Sequence, residues 1–156
     1  MSYTSNMGVV VDKLNVQLKG VKNQDKMLRD IAVSLASSNT NRIHNQSKDV
    51  SGSNITYKPS RKTPTMGAYS RSYAKKRQSK GRQINKVNLS FTGKLSKEFQ
   101  ASAIPDGWGV GFTTSFSSDL FKFLTDMYGE VWGITASDKQ AIERIVSKEI
   151  KKQLGT

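Results

Sequence analysis

Residues 98–114 read Glu98-Phe-Gln-Ala-Ser-Ala-Ile104-Pro105-Asp106-Gly107-Trp108-Gly-Val-Gly-Phe-Thr-Thr114, and this stretch predicts an antiparallel β-hairpin. Apolar and polar residues alternate on both sides of Pro105-Asp106-Gly107, as they do in half-buried strands. Proline presets one turn dihedral and glycine accepts a positive φ, so the three central residues suit a tight turn. The alternating glycines do not lead from a strand into a helix, so they indicate a closely packed hairpin face and not a phosphate-binding loop: Gly107, Gly109 and Gly111.

Two helices are predicted after the hairpin. The first covers residues 117–128, where a serine can cap the start and Gly129 is a natural C-terminal stop. The second opens at Thr135, with Asp138 three residues later as in a capping box, and its apolar stripe continues to Leu154. Helix, arm, hairpin and two further helices together give an α+β fold class.

An amphipathic helix is also predicted near the N-terminus. Apolar residues recur every three or four positions from Val11 onward, as one buried helix face requires. Gly20 lies inside this run and costs about 1 kcal/mol in a helix interior. The alternative is therefore a short strand over residues 9–19 followed by a helix over residues 23–43. Residues 25–42 are helical in both interpretations.

Residues 45–86 carry most of the positive charge. The 156-residue chain has 25 Lys and Arg against 12 Asp and Glu, a net charge of +13. No acidic residue lies between Asp49 and Glu98, and that window holds 12 of the 25 basic residues, which leaves 13 basic and 12 acidic residues elsewhere. The segment is rich in polar residues and glycine, so it is predicted to be an extended basic arm. One domain overall is expected, with a helical segment (1–44), the arm (45–86) and a body (87–156).

Such an arm is expected to contact a polyanion or an acidic protein surface. Tyr57, Tyr69 and Tyr73 are interleaved with its basic residues, which is compatible with phosphate contacts plus base stacking, or with packing on protein. A solvated loop is the alternative. The side chains predicted to contact a subunit or DNA are Lys58, Arg61, Lys62, Arg71, Lys75, Lys76, Arg77, Lys80, Arg82 and Lys86.

Catalysis, metal binding and membrane insertion have little support in the sequence. There is no cysteine and His44 is the one histidine, so thiolate sites are excluded and converging titratable groups are few. His44 is predicted to be an exposed or interface residue. We expect no enzyme activity, cofactor or metal. The N-terminus has no signal-peptide pattern and no run reaches the roughly 18 apolar residues of a membrane span, so synthesis in a cytoplasm and no membrane partner are expected.

Two smaller features complete the pattern. Apolar and polar residues alternate in Val87-Asn-Leu-Ser-Phe91, and Thr92-Gly93 ends the pattern, so this segment is either a short strand or the lead into a helical turn.

The aromatic residues after the hairpin are expected to build core and subunit contacts and not a cofactor site. Among them, Phe116 and Phe123 are expected to face a partner.

Short motifs spread over residues 27–154 have counterparts in a known family. They are Met27-Leu-Arg-Asp-Ile-Ala-Val-Ser-Leu35, Arg42-Ile43-His-Asn-Gln46, Gly52, Tyr57, Tyr69, Tyr73, Lys76, Gly81-Arg82, Leu89-Ser-Phe-Thr92-Gly93-Lys-Leu95, Gly129 and Trp132-Gly133-Ile134-Thr135 with Asp138. This set resembles the phage virion morphogenesis proteins, which are tail-completion proteins. The chain lacks the Pro-x-Arg pair and the Ala-x-x-His-Gln-like step that the family usually shows near Gly129.

The resemblance implies a structural virion protein of a tailed bacteriophage. It implies a cofactor-free homo-oligomeric ring of six or twelve copies at the head–tail junction or the tail top. Its partners would be other neck, portal or tail proteins, with non-specific contact with packaged DNA. The motif residues that carry this expectation are Thr92, Gly93, Leu95, Gly129, Trp132 and Gly133. The alternative is a stand-alone basic nucleic-acid-binding protein.

Overall fold

A computed structural model describes residues 24–60 and 64–154 of the chain. These residues form an α+β structure, as predicted, with five α-helices and two two-stranded hairpins. The helices are α1 (Gln24–Thr40), α2 (Arg71–Gln78), α3 (Lys94–Glu98), α4 (Ser115–Tyr128) and α5 (Ala136–Leu154). The strands are β1 (Thr65–Met66), β2 (Tyr69–Ser70), β3 (Phe99–Ile104) and β4 (Gly107–Phe112).

The chain divides into two compact units. The first unit contains the described residues 24–39, 99–111 and 133–154, which hold α1, nearly all of the β3–β4 hairpin and α5. Its core includes the apolar face of α1 from Met27 to Ala36, the face that the spacing predicted. The hairpin and its turn also lie where the sequence predicted them.

The start of α5 in the first unit is held by the predicted capping box. The Thr135 hydroxyl accepts a hydrogen bond from the Asp138 backbone N–H at 3.1 Å, and the Asp138 carboxylate accepts one from the Thr135 N–H at 2.8 Å. The Ser38 hydroxyl, on α1, donates to the other carboxylate oxygen of Asp138. These bonds satisfy N–H groups that a helix start leaves without partners.

The second unit contains the described parts of residues 40–98 and 112–132. It opens with a π-helical turn (Asn41–Asn45) and holds β1, β2 and α2 to α4. The buried guanidinium of Arg42 donates from Nη1 to the Val131 carbonyl at 2.8 Å and to the Lys48 carbonyl at 3.2 Å. Arg42 thereby ties the π-helical turn to the segment that follows α4.

Helix α4 of the second unit has the predicted end but an earlier start. Gly129 has a φ of +86° at its C-terminal cap, a left-handed conformation that favours glycine. Thr114, and not Ser117 or Ser118, is the N-cap, and its hydroxyl accepts from the Ser117 N–H at 3.3 Å. Residues 87–91 form no strand and lead into α3, which is one of the two predicted alternatives.

The prediction of an extended arm over residues 45–86 is wrong for residues 65–78. In the β1–β2 hairpin Thr65 pairs with Ser70 and Met66 with Tyr69, and α2 follows directly. The helix was missed because its buried positions are Ala74 and Arg77 and not an aliphatic stripe. Arg61, Lys62 and the part of the predicted N-terminal run before residue 24 lie outside the described residues.

Candidate functional site

The second unit has an apolar groove with a volume of about 630 Å³. Helix α4 forms one wall, and segment 89–95 and tyrosines from the predicted arm form the rest. We call this surface the aromatic groove and define it by six of its lining residues: Tyr57, Tyr73, Phe91, Phe116, Phe123 and Tyr128.

Ring contacts fix the walls of the aromatic groove. Tyr57 stacks on Tyr128 with ring centroids 4.8 Å apart, and Tyr73 lies 5.8 Å from Phe91 and 5.4 Å from Tyr69. Burial, reinforced by the hydrogen bond with Tyr57, raises the pKa of the Tyr128 phenol. Interlocked rings of this kind give a surface that exists before any partner binds.

Two phenylalanines of α4 stand exposed at the groove. Phe116 is 59% exposed and Phe123 is 52% exposed, and they are two helical turns apart on the same side of the helix. Their exposure is compatible with the partner-facing position expected for them. Phe121 points elsewhere, since its ring packs 5.3 Å from that of Trp132.

Glu98, the last residue of α3, anchors the start of α4. Its carboxylate accepts hydrogen bonds from the hydroxyls of Ser117 and Thr114, and its carbonyl accepts one from the Thr113 N–H at 3.0 Å. The hydroxyl hydrogen bonds, the one from Ser117 first, lower the pKa of the Glu98 carboxyl. These contacts orient the first turn of α4 and with it Phe116.

Two lysines lie over rings of the aromatic groove. The Lys94 ammonium is 4.6 Å from the Phe116 centroid, and the Lys76 ammonium is 5.5 Å from the Phe91 centroid. Lys94 also lies 3.6 Å from the Glu98 carboxylate. Among the described lining residues Lys94 is the only charged one, and none is acidic. The groove is therefore apolar inside and basic at its edge.

Arg77 was predicted to be a contact residue, and the structure shows that this prediction is wrong. Its guanidinium is buried and donates to the Gln83 carbonyl at 2.8 Å, the Ser90 carbonyl at 2.9 Å and the Asn88 side-chain oxygen at 3.2 Å. An arginine held by three oxygens is a structural support of the fold and is not available to a partner.

The other basic residues of the predicted arm differ in availability. Lys86 donates to the Asn45 carbonyl at 2.8 Å, and Lys58 is half-buried next to Gly129. Within residues 24–60 and 64–154, no carboxylate pairs with any of five exposed cations. These five are Arg71, Lys75, Lys76, Lys80 and Arg82.

The motif residues support the backbone around the aromatic groove and elsewhere. The Thr92 hydroxyl accepts from the Lys94 N–H at 3.3 Å, Gly93 has a φ of +79°, and Leu95 is buried. These three residues form the sharp entry into α3. Trp132 is buried in the second unit. In the first unit the Gly133 N–H donates to the buried side-chain oxygen of Asn39 at 3.1 Å.

His44 is half-buried rather than exposed. Its Nδ1–H donates to the Asn88 carbonyl at 2.8 Å, and burial lowers the pKa of its imidazole. No group of three or more His, Cys, Asp or Glu that could hold a metal ion occurs among the described residues.

The arrangement is suited to binding a partner. It combines a preformed apolar surface, exposed aromatic side chains and a basic edge, the features that mark protein interaction sites. No helix in residues 24–60 or 64–154 is both long and apolar enough to cross a membrane. No family model, curated protein or solved structure matches this chain.

Proposed function

We propose that this chain is a structural, non-enzymatic protein of a tailed bacteriophage virion, of the tail-completion or neck type. It is made in the host cytoplasm and forms a homo-oligomeric ring of six or twelve copies at the head–tail junction or the tail top. Its partners are neighbouring copies and other neck, portal or tail proteins. Its exposed cations contact a subunit or line the channel that DNA crosses. The short motifs over residues 27–154 support the phage assignment.

The observation that carries an assembly role is the exposure of Phe116 and Phe123 at the aromatic groove. Burying a phenylalanine side chain is worth about 1.5–3 kcal/mol relative to leaving it in water. Aromatic residues in well-packed pockets are also the side chains that dominate binding energy at protein interfaces. Two of them beside a preformed groove therefore favour a chain whose surface is completed by another protein.

Electron microscopy and mass photometry of the purified protein test the ring. We expect closed rings for the wild-type chain. We also expect the doubly substituted Phe116→Ser, Phe123→Ser variant to form the same rings when purified but to be lost from assembled particles. Val33→Ser is the matched control, because Val33 is an exposed apolar residue of α1 in the first unit. A protein that is monomeric at every concentration and absent from particles would contradict the proposal.

A second candidate is a stand-alone nucleic-acid-binding protein. It is favoured by the five exposed cations of the predicted arm, none of which pairs with a carboxylate within residues 24–60 and 64–154. If all five contact phosphates, the logarithm of the duplex-DNA affinity should fall with the logarithm of salt concentration with a slope of about 4.5. Absence of binding to duplex DNA at low salt would remove this candidate.

A further inference from the structure

We infer that the aromatic groove binds an acidic amphipathic segment of a different protein. This segment carries apolar anchor residues on one face and carboxylates beside them. The source of the segment, another virion component, rests on the proposed function. The chemistry of the occupant rests on the groove alone.

The interior of the groove selects apolar side chains. Its volume of about 630 Å³ lies within the range of roughly 300–1,000 Å³ typical of specific binding pockets. Between the rings, its walls are aliphatic and are supplied by Leu89, Leu120, Leu124 and Met127. Aliphatic walls and ring faces together accept leucine or phenylalanine anchors, as hydrophobic grooves for amphipathic helices do.

The edge of the groove selects negative charge. The Lys76 ammonium is held over the Phe91 ring, and no carboxylate pairs with it within residues 24–60 and 64–154. The Lys94 ammonium lies over the Phe116 ring and already pairs with Glu98 at 3.6 Å, but its side chain remains 55% exposed. Carboxylates flanking the anchor residues of a bound segment would meet these cations, which favours an acidic partner and disfavours a basic one.

The carboxylates of α4 do not neutralise the positive charge at the edge of the groove. Asp119 and Asp126 are exposed and do not line the groove, and Asp119 already pairs with Lys122 at 3.7 Å.

Other occupants fit the described surface less well. The exposed apolar residues at the end of α5 are Ile150 and Leu154, and Lys151 and Lys152 lie between them in the sequence. If a second copy bound the groove through this end of α5, it would bring positive charge to a basic edge. A nucleic acid would satisfy the cations, but aliphatic walls provide no donors or acceptors for base edges. An acidic peptide satisfies both the interior and the edge.

Fluorescence anisotropy with synthetic peptides tests the inference. The probe is a labelled 16-residue peptide with Leu and Phe at positions i, i+3, i+4 and i+7 and Glu at the flanking positions. One matched peptide replaces each Glu by Lys, and the other scrambles the same composition. We expect the full-length protein to bind the acidic peptide at least about tenfold more tightly than either control peptide, which corresponds to about 1.4 kcal/mol.

Variants locate the binding in the groove. Phe123→Ser and Lys76→Glu should each weaken binding of the acidic peptide by about tenfold or more. Val33→Ser and Lys139→Glu, on the first unit, should leave the affinity unchanged, and circular dichroism should show that all four variants are folded. Equal affinity for the acidic and scrambled peptides would overturn the inference, as would tighter binding of the basic peptide.

Two further outcomes would assign the groove to another occupant. Self-association that is abolished by Phe123→Ser and blocks the acidic peptide would assign it to a second copy. Displacement of the peptide by a 20-nucleotide single-stranded DNA, with the DNA binding more tightly, would assign it to nucleic acid. If the protein does not prefer the acidic peptide to the control peptides but is present as intact rings in virions, this inference alone is rejected. Selective peptide binding by a chain absent from virions rejects the proposed function alone.

Discussion

The guanidinium of Arg77 lies 4.4 Å from the ring centroid of Tyr69, and both side chains are almost wholly buried. The Tyr69 hydroxyl and the Arg77 guanidinium share the Asn88 side-chain oxygen, each at 3.2 Å. This pair connects α2 to segment 83–90 and supports the wall of the aromatic groove to which Tyr69 and Tyr73 belong.

Replacing Arg77 by methionine should therefore destabilise the protein. The variant loses hydrogen bonds from a charged donor to buried oxygens, and we expect the free energy of unfolding to fall by about 3 kcal/mol. Urea denaturation followed by circular dichroism measures this. Lys80→Met, at an exposed position, is the control and should change the stability by no more than about 0.5 kcal/mol. Equal effects of the two substitutions would show that Arg77 is not a structural support.

Substitution of Gly67, in the β1–β2 turn, by alanine is expected to destabilise the protein. Its φ is +63°, and an added Cβ would lie 2.4 Å from the Ile84 carbonyl oxygen. That oxygen is fixed by the Ala68 N–H at 2.8 Å. Gly67→Ala should reduce the free energy of unfolding by about 3 kcal/mol, since steric overlap adds to the left-handed conformation.

Gly81 provides the matched control for that substitution. It has a φ of +65°, with nothing within 4 Å of an added Cβ. Gly81→Ala should cost only about 1–2 kcal/mol, which is the conformational part alone. If the two alanine variants unfold at the same urea concentration, the close approach of Gly67 to Ile84 is not significant.

Asn39 in the first unit should be sensitive to loss of its amide. Its side chain is fully buried, donates to the Leu35 carbonyl at 3.0 Å and accepts from the Gly133 N–H at 3.1 Å. Asn39→Ala removes the side-chain oxygen that accepts from the Gly133 N–H, and we expect the free energy of unfolding to fall by about 2 kcal/mol in thermal or urea unfolding. Asn45→Ala is the control, because the Asn45 amide bonds to Asn41 at an exposed position. A loss at position 39 no larger than at position 45 would contradict this account.

His44 should make stability depend on pH. Burial lowers the pKa of the folded imidazole below the ordinary value of 6.5, so the unfolded chain binds the proton more readily. The contribution of neutral His44 is complete above pH 6.5 and is lost progressively as the pH falls from 6.5 toward the folded-state pKa. His44→Gln removes this dependence. The stability difference between wild type and His44→Gln should be smaller at pH 5 than at pH 7.5, and a difference that grows in acid would contradict the sign.

Local signals in the sequence predicted the β3–β4 hairpin, the Gly129 stop and the Thr135–Asp138 capping box. Each depends on residues close together in the chain, which is why pattern and spacing sufficed. The sequence does not predict helix α2, because the pattern favours a surface position for Arg77, whereas carbonyls from segment 83–90 satisfy its guanidinium in the interior. The four-residue spacing of Tyr73 and Arg77, both on α2, was the available signal for a helical face.

The aromatic groove could be anticipated only in part. The sequence predicts that Phe116 and Phe123 face a partner, and both side chains are exposed in the structure. The groove itself joins Tyr57, Phe91 and α4, which are far apart in sequence and meet only through tertiary packing. Local sequence patterns do not predict contacts between residues that are far apart in the sequence.

The measurement that tests the proposed assembly function most directly is quantitative mass spectrometry of phage particles purified from cultures of the organism whose genome encodes this chain. Peptides of the chain should be present at a fixed stoichiometry of about six or twelve copies per particle. Particles assembled with the Phe116→Ser, Phe123→Ser variant should lack the protein, whereas particles made with Val33→Ser should retain it. Complete, infectious virions with no detectable copy of the chain would contradict the account.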